Sequence, residues 1–352
     1  MFYRTVRLSR TLSLIFVLAG IGLSSAADAV SCKTQSQMTP SERDALSNAA
    51  RSIMGQVQSG DAKGVQAATI PAVAADFSGI AASIETLKPF VQQATITVNS
   101  LYVLDSSADQ AGGGRIDFYC GSPVVILNFT DLPPGNYAFA ILHATGVPKP
   151  QQIALVLSMS ASNHWMLGGL FTKPMTEAGH DGLWYWVSAR NFAQKKMNWD
   201  AWLYYRLAAY FINPVDFLSS PNLDKLQGEQ TQVKPTDLPG TQQPLMLGRQ
   251  GSVFQVTNID TTTTFGPLDL EVQYSPDHGQ ATQLLDPPSA RKQVTQVMTA
   301  LLSLHPELHD AFHGIWVHAD QGSASLFSLE LPMNQIVPDG QSTEITSNPT
   351  LR

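Results

Sequence analysis

The apolar residues of this chain switch from a helical period to a period of two near Ala94, and that switch limits the folds open to it. Upstream, Leu46, Ala49, Ala50, Ile53, Met54 and Val57 recur every three or four positions. Thr39-Pro40-Ser41-Glu42 opens this helix, with Thr39 as cap, Pro40 in the first turn and Glu42 completing a capping box. Ser59-Gly60-Asp61 ends it. A second helical stretch, residues 65–93, carries Phe77, Ile80, Ile84, Leu87 and Val91 and is interrupted by Pro71. Downstream, residues 95–104, 115–120, 124–129, 137–143, 153–159 and 164–172 alternate as strands. Gly112-Gly113-Gly114, Pro133-Pro134-Gly135 and Gly146-Val147-Pro148 separate them. Helices followed by a strand meander predict an α+β domain, with its helices on one face of a curved sheet.

The order of these pieces resembles the SnoaL-like (nuclear-transport-factor-two-like) cone domain over residues 39–175. Ala75-Asp76-Phe77-Ser78-Gly79-Ile80 and the closing strand His164-Trp165-Met166-Leu167-Gly168-Gly169-Leu170-Phe171 carry the likeness. It implies a cone-like pocket. It implies no activity, because that superfamily mixes enzymes, ligand binders and structural modules.

An aromatic helical hairpin is expected over residues 176–226. Tyr185, Ala189, Phe192, Ala201, Tyr205 and Ala208, with Pro214 behind them, are spaced in a way similar to one tetratricopeptide unit at 181–214. An array needs about three such repeats to bury its faces. The expectation is therefore one hairpin docked on a neighbour, with Asn198 capping its second helix. Residues 227–245 read as a linker. Residues 246–336 then read as a small C-terminal α+β domain, with strands at 253–259, 268–274, 314–319 and 325–331. Asp286-Pro287-Pro288 starts its main helix, striped by Val294, Val297, Met298, Leu301 and Leu302. Residues 337–352 read as a polar, disordered tail.

The N-terminus specifies a compartment. Arg4, Arg7 and Arg10 precede the short apolar run 12–23, and Ala27-Asp28-Ala29 offers a cleavage site. This is the pattern of a secretory signal peptide over residues 1–29, so the chain is expected to be exported, periplasmic or extracellular. An uncleaved N-terminal anchor is the alternative, and the only membrane attachment expected. Lipidation of Cys32 is not expected, since the usual bulky aliphatic residue three positions earlier is missing. Cleavage takes three arginines and one aspartate from 21 basic and 28 acidic residues, leaving 18 and 27. That balance, with no Lys/Arg run, excludes nucleic acid as the main partner. Charged residues are only 14% of the chain, against about 25% in soluble domains. After export, Cys32 and Cys120 form one disulfide or remain two thiols.

Three constellations carry candidate chemistry. His305-Pro306-Glu307-Leu308-His309-Asp310-Ala311-Phe312-His313, with His318 beyond, places His309 and His313 at the i,i+4 spacing many zinc sites use. Pro306 occupies the position where a metalloprotease motif needs Glu, so that motif is absent. In the cone, Asp117 could orient His143 as a general base while Tyr119 donates to an oxyanion, if both strands look into one pocket. Trp184, Trp186, Trp199, Trp202 and Tyr205 offer an aromatic surface for a protein, peptide or glycan; ordinary packing is the competing explanation. Gly112-Gly113-Gly114 lacks the Lys and helix of a phosphate loop, and no G-x-S-x-G or paired-carboxylate signature appears. No cofactor is expected. The reading preferred is a non-catalytic exported binding or structural protein of the cell envelope. The rivals are a cone-pocket hydrolase or isomerase of a small apolar molecule, and a metal-binding protein using the His305–His318 cluster.

Overall fold

The computed structural model describes residues 30–336, apart from 110–112, 122–123, 250–251 and 323. The expected signal peptide and polar tail lie outside these residues. Within them the chain is α+β, and its elements alternate as the period switch predicts, with local departures that matter.

β1 (Ser31–Thr34) leads into α1 (Pro40–Ser59). The capping box is formed: the Thr39 hydroxyl accepts from Glu42 N at 3.2 Å and Thr39 N donates to Glu42 Oε2 at 2.8 Å. Gly60 ends α1 in the left-handed region at φ 74°, where only glycine sits without strain. The second helical stretch is three pieces, α2 (Ala62–Ala67), α3 (Pro71–Ala74) and α4 (Ser78–Val91). Pro71 opens α3 because a proline suits a first turn and cannot continue a preceding helix.

β2 (Thr95–Asp105), β3 (Arg115–Cys120), β4 (Val125–Thr130), β5 (Asn136–Thr145), β6 (Gln151–Met159) and β7 (Trp165–Pro174) follow. They do not form one meander. The main sheet runs β1-β2-β5-β6-β7, so β2 pairs directly with β5 and the β3–β4 hairpin leaves the sheet. The reason is visible in β5, which is apolar on both faces. Ala138, Ala140, Leu142 and Ala144 face α1 and α4, where small side chains let the helices approach. Tyr137, Phe139 and Ile141 face the other way, onto Ile116, Phe118 and Leu127 of the hairpin. A sheet apolar on both sides must be covered on both sides. The Cys32–Cys120 disulfide pins the hairpin layer to β1 across a sequence separation of 88.

A short ribbon, β8 (Thr176–Glu177) and β9 (His180–Asp181), leads into the helical hairpin α5 (Gly182–Gln194) and α6 (Asn198–Ile212). Asn198 is the first residue of α6 and Met197 flanks it, so Asn198 is not the cap. A Cβ on Gly182 would stand 2.7 Å from Ile212 Cγ1; the missing side chain is what lets the two helix ends meet. β10 (Leu218–Ser219) pairs with β4, and α7 (Pro221–Gln232) runs from the end of the stretch read as hairpin into residues 227–232 of the stretch read as linker.

β11 (Leu245–Arg249), β12 (Ser252–Thr262) and β13 (Asp269–Ser275) precede α8 (His278–Gln283), α9 (Pro287–Leu304) and α10 (Leu308–Ala311). β14 (Gly314–Gln321) and β15 (Ala324–Pro332) close a sheet of order β11-β12-β13-β14-β15. Only the β13–β14 pair is parallel, with the three helices as its crossover. The stripe Val294, Val297, Met298, Leu301 and Leu302 of α9 is buried against this sheet. The hairpin aromatics Tyr185, Tyr204 and Phe211 join the same core, so hairpin and C-terminal sheet pack as one body. Among the described residues no helix is long and apolar enough to cross a membrane.

Candidate functional site

Most of the hairpin aromatics serve packing. Trp186, Trp199 and Tyr205 are buried and Trp202 is half-buried, with the Arg206 guanidinium 4.9 Å from its ring centre. Glu229 of α7 gathers this side of the hairpin. Its carboxylate accepts from Trp186 Nε1 at 2.7 Å, from Arg190 through two bonds of 2.8 Å, and from the Tyr205 hydroxyl at 3.3 Å. The Arg190 hydrogen bond holds the Glu229 carboxyl below its usual range, against the opposing effect of burial. Trp199 Nε1 donates to Asp237. Of the five aromatics singled out in the sequence, Trp184 alone is exposed, at 41%.

Trp184 borders a pocket of about 280 Å³ between the hairpin and the C-terminal sheet. Asp181 caps α5 by accepting from Trp184 N at 2.8 Å, which fixes where the indole leaves the helix. The His180 ring stacks on that indole, with ring centres 3.5 Å apart and planes 8° from parallel. Tyr204, Leu268 and His313 complete the wall. Burial, chiefly, pushes the Tyr204 phenol up to about 12, so it remains a donor, and it donates to Ala311 O at 2.8 Å.

His313 connects the pocket to a buried acid. His313 Nδ1 lies 3.1 Å from Asp269 Oδ1, and Asp269 is fully buried. Its second oxygen, Oδ2, is buried without a hydrogen-bond partner. Glu330 of β15 joins them: one ligand atom from each of Asp269, His313 and Glu330 lies within 4.8 Å of the others. Burial and then the Asp269 charge raise the Glu330 carboxyl, while His313 opposes the shift. Among the described residues these three are the side chains placed to hold a metal ion.

The other histidines of the cluster do not converge there. α10 ends at Ala311, and Phe312 is extended, so His309 and His313 do not share a helical face. His309 is exposed beside Asp310. His305 Nε2 stands 2.9 Å from Asp237 Oδ2, close enough for an ion pair but outside hydrogen-bond alignment. His318 lies 3.5 Å from Glu271 and packs on Trp316. Local spacing gave no hint of Asp269 or Glu330, because both reach His313 through sheet pairing. His180 was equally silent in sequence.

The cone trio is not brought together. Ile116, Phe118 and Cys120 point into the layer shared with β5, so Asp117 and Tyr119 point away from it. Asp117 pairs with Arg115 at 2.8 Å, and Tyr119 is 64% exposed. His143 is on the main sheet, where its carbonyl accepts from Thr97. A larger cleft of about 660 Å³ opens between α1 and the main sheet, but Lys33, Glu42, Asp105 and Trp165 line it. Lys33 and Glu42 already pair there at 3.5 Å. The aromatic pocket is the stronger candidate, since His313 of its wall contacts a buried, incompletely paired carboxylate. No protein-family model, no curated protein and no solved structure matches the chain.

Proposed function

We propose that this is an exported, non-catalytic binding protein of the cell envelope that takes one ring-bearing group of a peptide or glycan into the aromatic pocket. The observation that carries the reading is the exposed Trp184 indole, held flat against His180 at the mouth of that pocket. A preformed aromatic platform gives a planar group contact area at little conformational cost. A volume of about 280 Å³ suits a side chain or a single sugar ring. Helices on one face of the five-stranded sheet support the cone-like reading of the N-terminal half, which here acts as scaffold.

Tryptophan fluorescence and saturation-transfer NMR with panels of aromatic peptides and cell-wall oligosaccharides test this. One class is expected to bind saturably, and Trp184→Ala to weaken it at least about tenfold, the loss of a stacked aromatic contact. Absence of binding by both classes, or unchanged binding by the variant, would discard the pocket.

Export is supported by the disulfide, which persists in oxidising compartments. Intact-mass measurement of the protein recovered from outside the cytoplasm is expected to give a chain beginning at Val30 with no free thiol. A full-length, thiol-bearing chain would contradict export with cleavage.

A further inference from the structure

We propose that Asp269, His313 and Glu330 form a binding site for one divalent cation of the zinc class. Sheet topology assembles the site. Asp269 is the first residue of β13, His313 immediately precedes β14, and Glu330 lies near the end of β15. β13 and β14 are parallel and β15 is antiparallel to β14, so all three positions fall at one corner of the sheet. The corner is held by backbone bonds, His313 N to Leu268 O at 2.9 Å and Met333 N to His313 O at 2.8 Å.

Three observations point to a cation. The Asp269 carboxylate is fully inside the protein with Oδ2 unpaired, an arrangement that costs several kcal/mol unless a charge partner supplies what water no longer does. Two carboxylates face one imidazole, so the corner has an excess of negative charge that a divalent ion neutralises. Gly314 also lets the two acids meet: a Cβ there would lie 2.7 Å from Glu330 Oε1, 2.8 Å from Leu331 O and 3.0 Å from Asp269 Oδ1. The acid oxygens thus converge over a residue with no side chain.

The donor set selects the ion. An imidazole nitrogen with two carboxylates suits zinc better than magnesium or calcium, which favour all-oxygen shells. The 3.1 Å between His313 Nδ1 and Asp269 Oδ1 is also near the edge length for two ligands sharing one zinc, roughly 3.3 Å from bonds of about 2 Å. His313 lines the aromatic pocket as well, so the cation would stand beside whatever enters it. The site is independent of the ligand reading, since Trp184 contributes nothing to it.

The test is equilibrium dialysis of tag-free, chelator-stripped protein against Zn2+, Mn2+, Mg2+ and Ca2+, with metal quantified by mass spectrometry. One equivalent of Zn2+ is expected, held at least about tenfold tighter than Mg2+ or Ca2+. His313→Gln, Glu330→Gln and Gly314→Ala should each lower Zn2+ affinity about tenfold or more, while His309→Ala, outside the corner, leaves it unchanged. Because a corner variant can misfold, NMR of the wild type supplies a second readout: Zn2+ should shift the His313 ring signals before those of His309. Absence of stoichiometric Zn2+, tighter Mg2+ or Ca2+, Zn2+ binding indifferent to both glutamine variants, or His309 responding first would overturn the proposal.

Discussion

Asp200→Asn is expected to stabilise the protein at pH 8 and to leave its stability nearly unchanged at pH 4. Asp200 lies in the first turn of α6, fully buried, and neither carboxylate oxygen has a hydrogen-bond partner. Burial first, then the charges of Glu307 and Asp310, pushes its carboxyl up to about 7 from 3.8. Between those values the folded chain keeps a proton that the unfolded chain has released. Folded protein therefore binds more protons, and stability falls as pH rises from about 4 to 7. The shift corresponds to at most about 4 kcal/mol, and Asn mimics the neutral acid without the penalty. Glu330 is also raised and acts in the same direction, while Glu229 and Asp105 are lowered and act only at more acidic pH. Subtracting the variant's pH curve from the wild type's removes these and every histidine contribution. Tryptophan-monitored thermal unfolding reads the relevant core, because five of the six tryptophans lie in the hairpin and C-terminal half. A difference between variant and wild type that stays flat from pH 4 to 8 would mean the carboxyl is solvated or paired.

What the sequence revealed and concealed follows the range of the interactions involved. Elements set by neighbouring residues were legible: the Thr39 capping box, the α9 stripe and the strands after Ala94 all stand within a few residues of expectation. The departure of the β3–β4 hairpin was not, because Ile116 and Phe118 alternate with Asp117 and Tyr119 whether the hairpin extends a sheet or folds over it. β11 hid in Leu245-Met246-Leu247-Gly248, too short and too close to a proline-rich stretch to read as a strand. The histidine spacing assumed one helix through residue 313. Instead Phe312 extends, since the His313 backbone is taken up by bonds with Leu268 and Met333. That exchange separates His313 from His309 and delivers it to Asp269, 44 residues away. The aromatics show the same rule. Glu229 and Asp237, remote in sequence, draw Trp186 and Trp199 inward and leave Trp184 outside.

Removing the Cys32–Cys120 bridge is expected to destabilise the N-terminal half by about 4–5 kcal/mol, the chain-entropy value for a loop of its span. The bond crosses 88 residues and joins the edge strand β1 to β3 of the covering layer. Between those ends lie all four N-terminal helices and β2, so the bridged unfolded chain is confined over much of the unit. The layer it secures is small. Leu104, Phe118, Leu127 and Phe139 fill it, and α7 meets it only at its first turn, through Leu223. A thin apolar layer opens before a thick one when a restraint is lost. The Cys32→Ala/Cys120→Ala variant should therefore exchange amide hydrogens first in β3 and β4, while β5 and β6 remain protected by the helices behind them. Its urea transition should shift to lower concentration with a larger m-value, because the unbridged chain exposes more surface. Reductant should reproduce both effects in the wild type and alter neither in the variant. Equal protection of β3 and β4 with and without the bridge would mean that side-chain packing alone holds the layer, and the covalent link would then be dispensable to the fold.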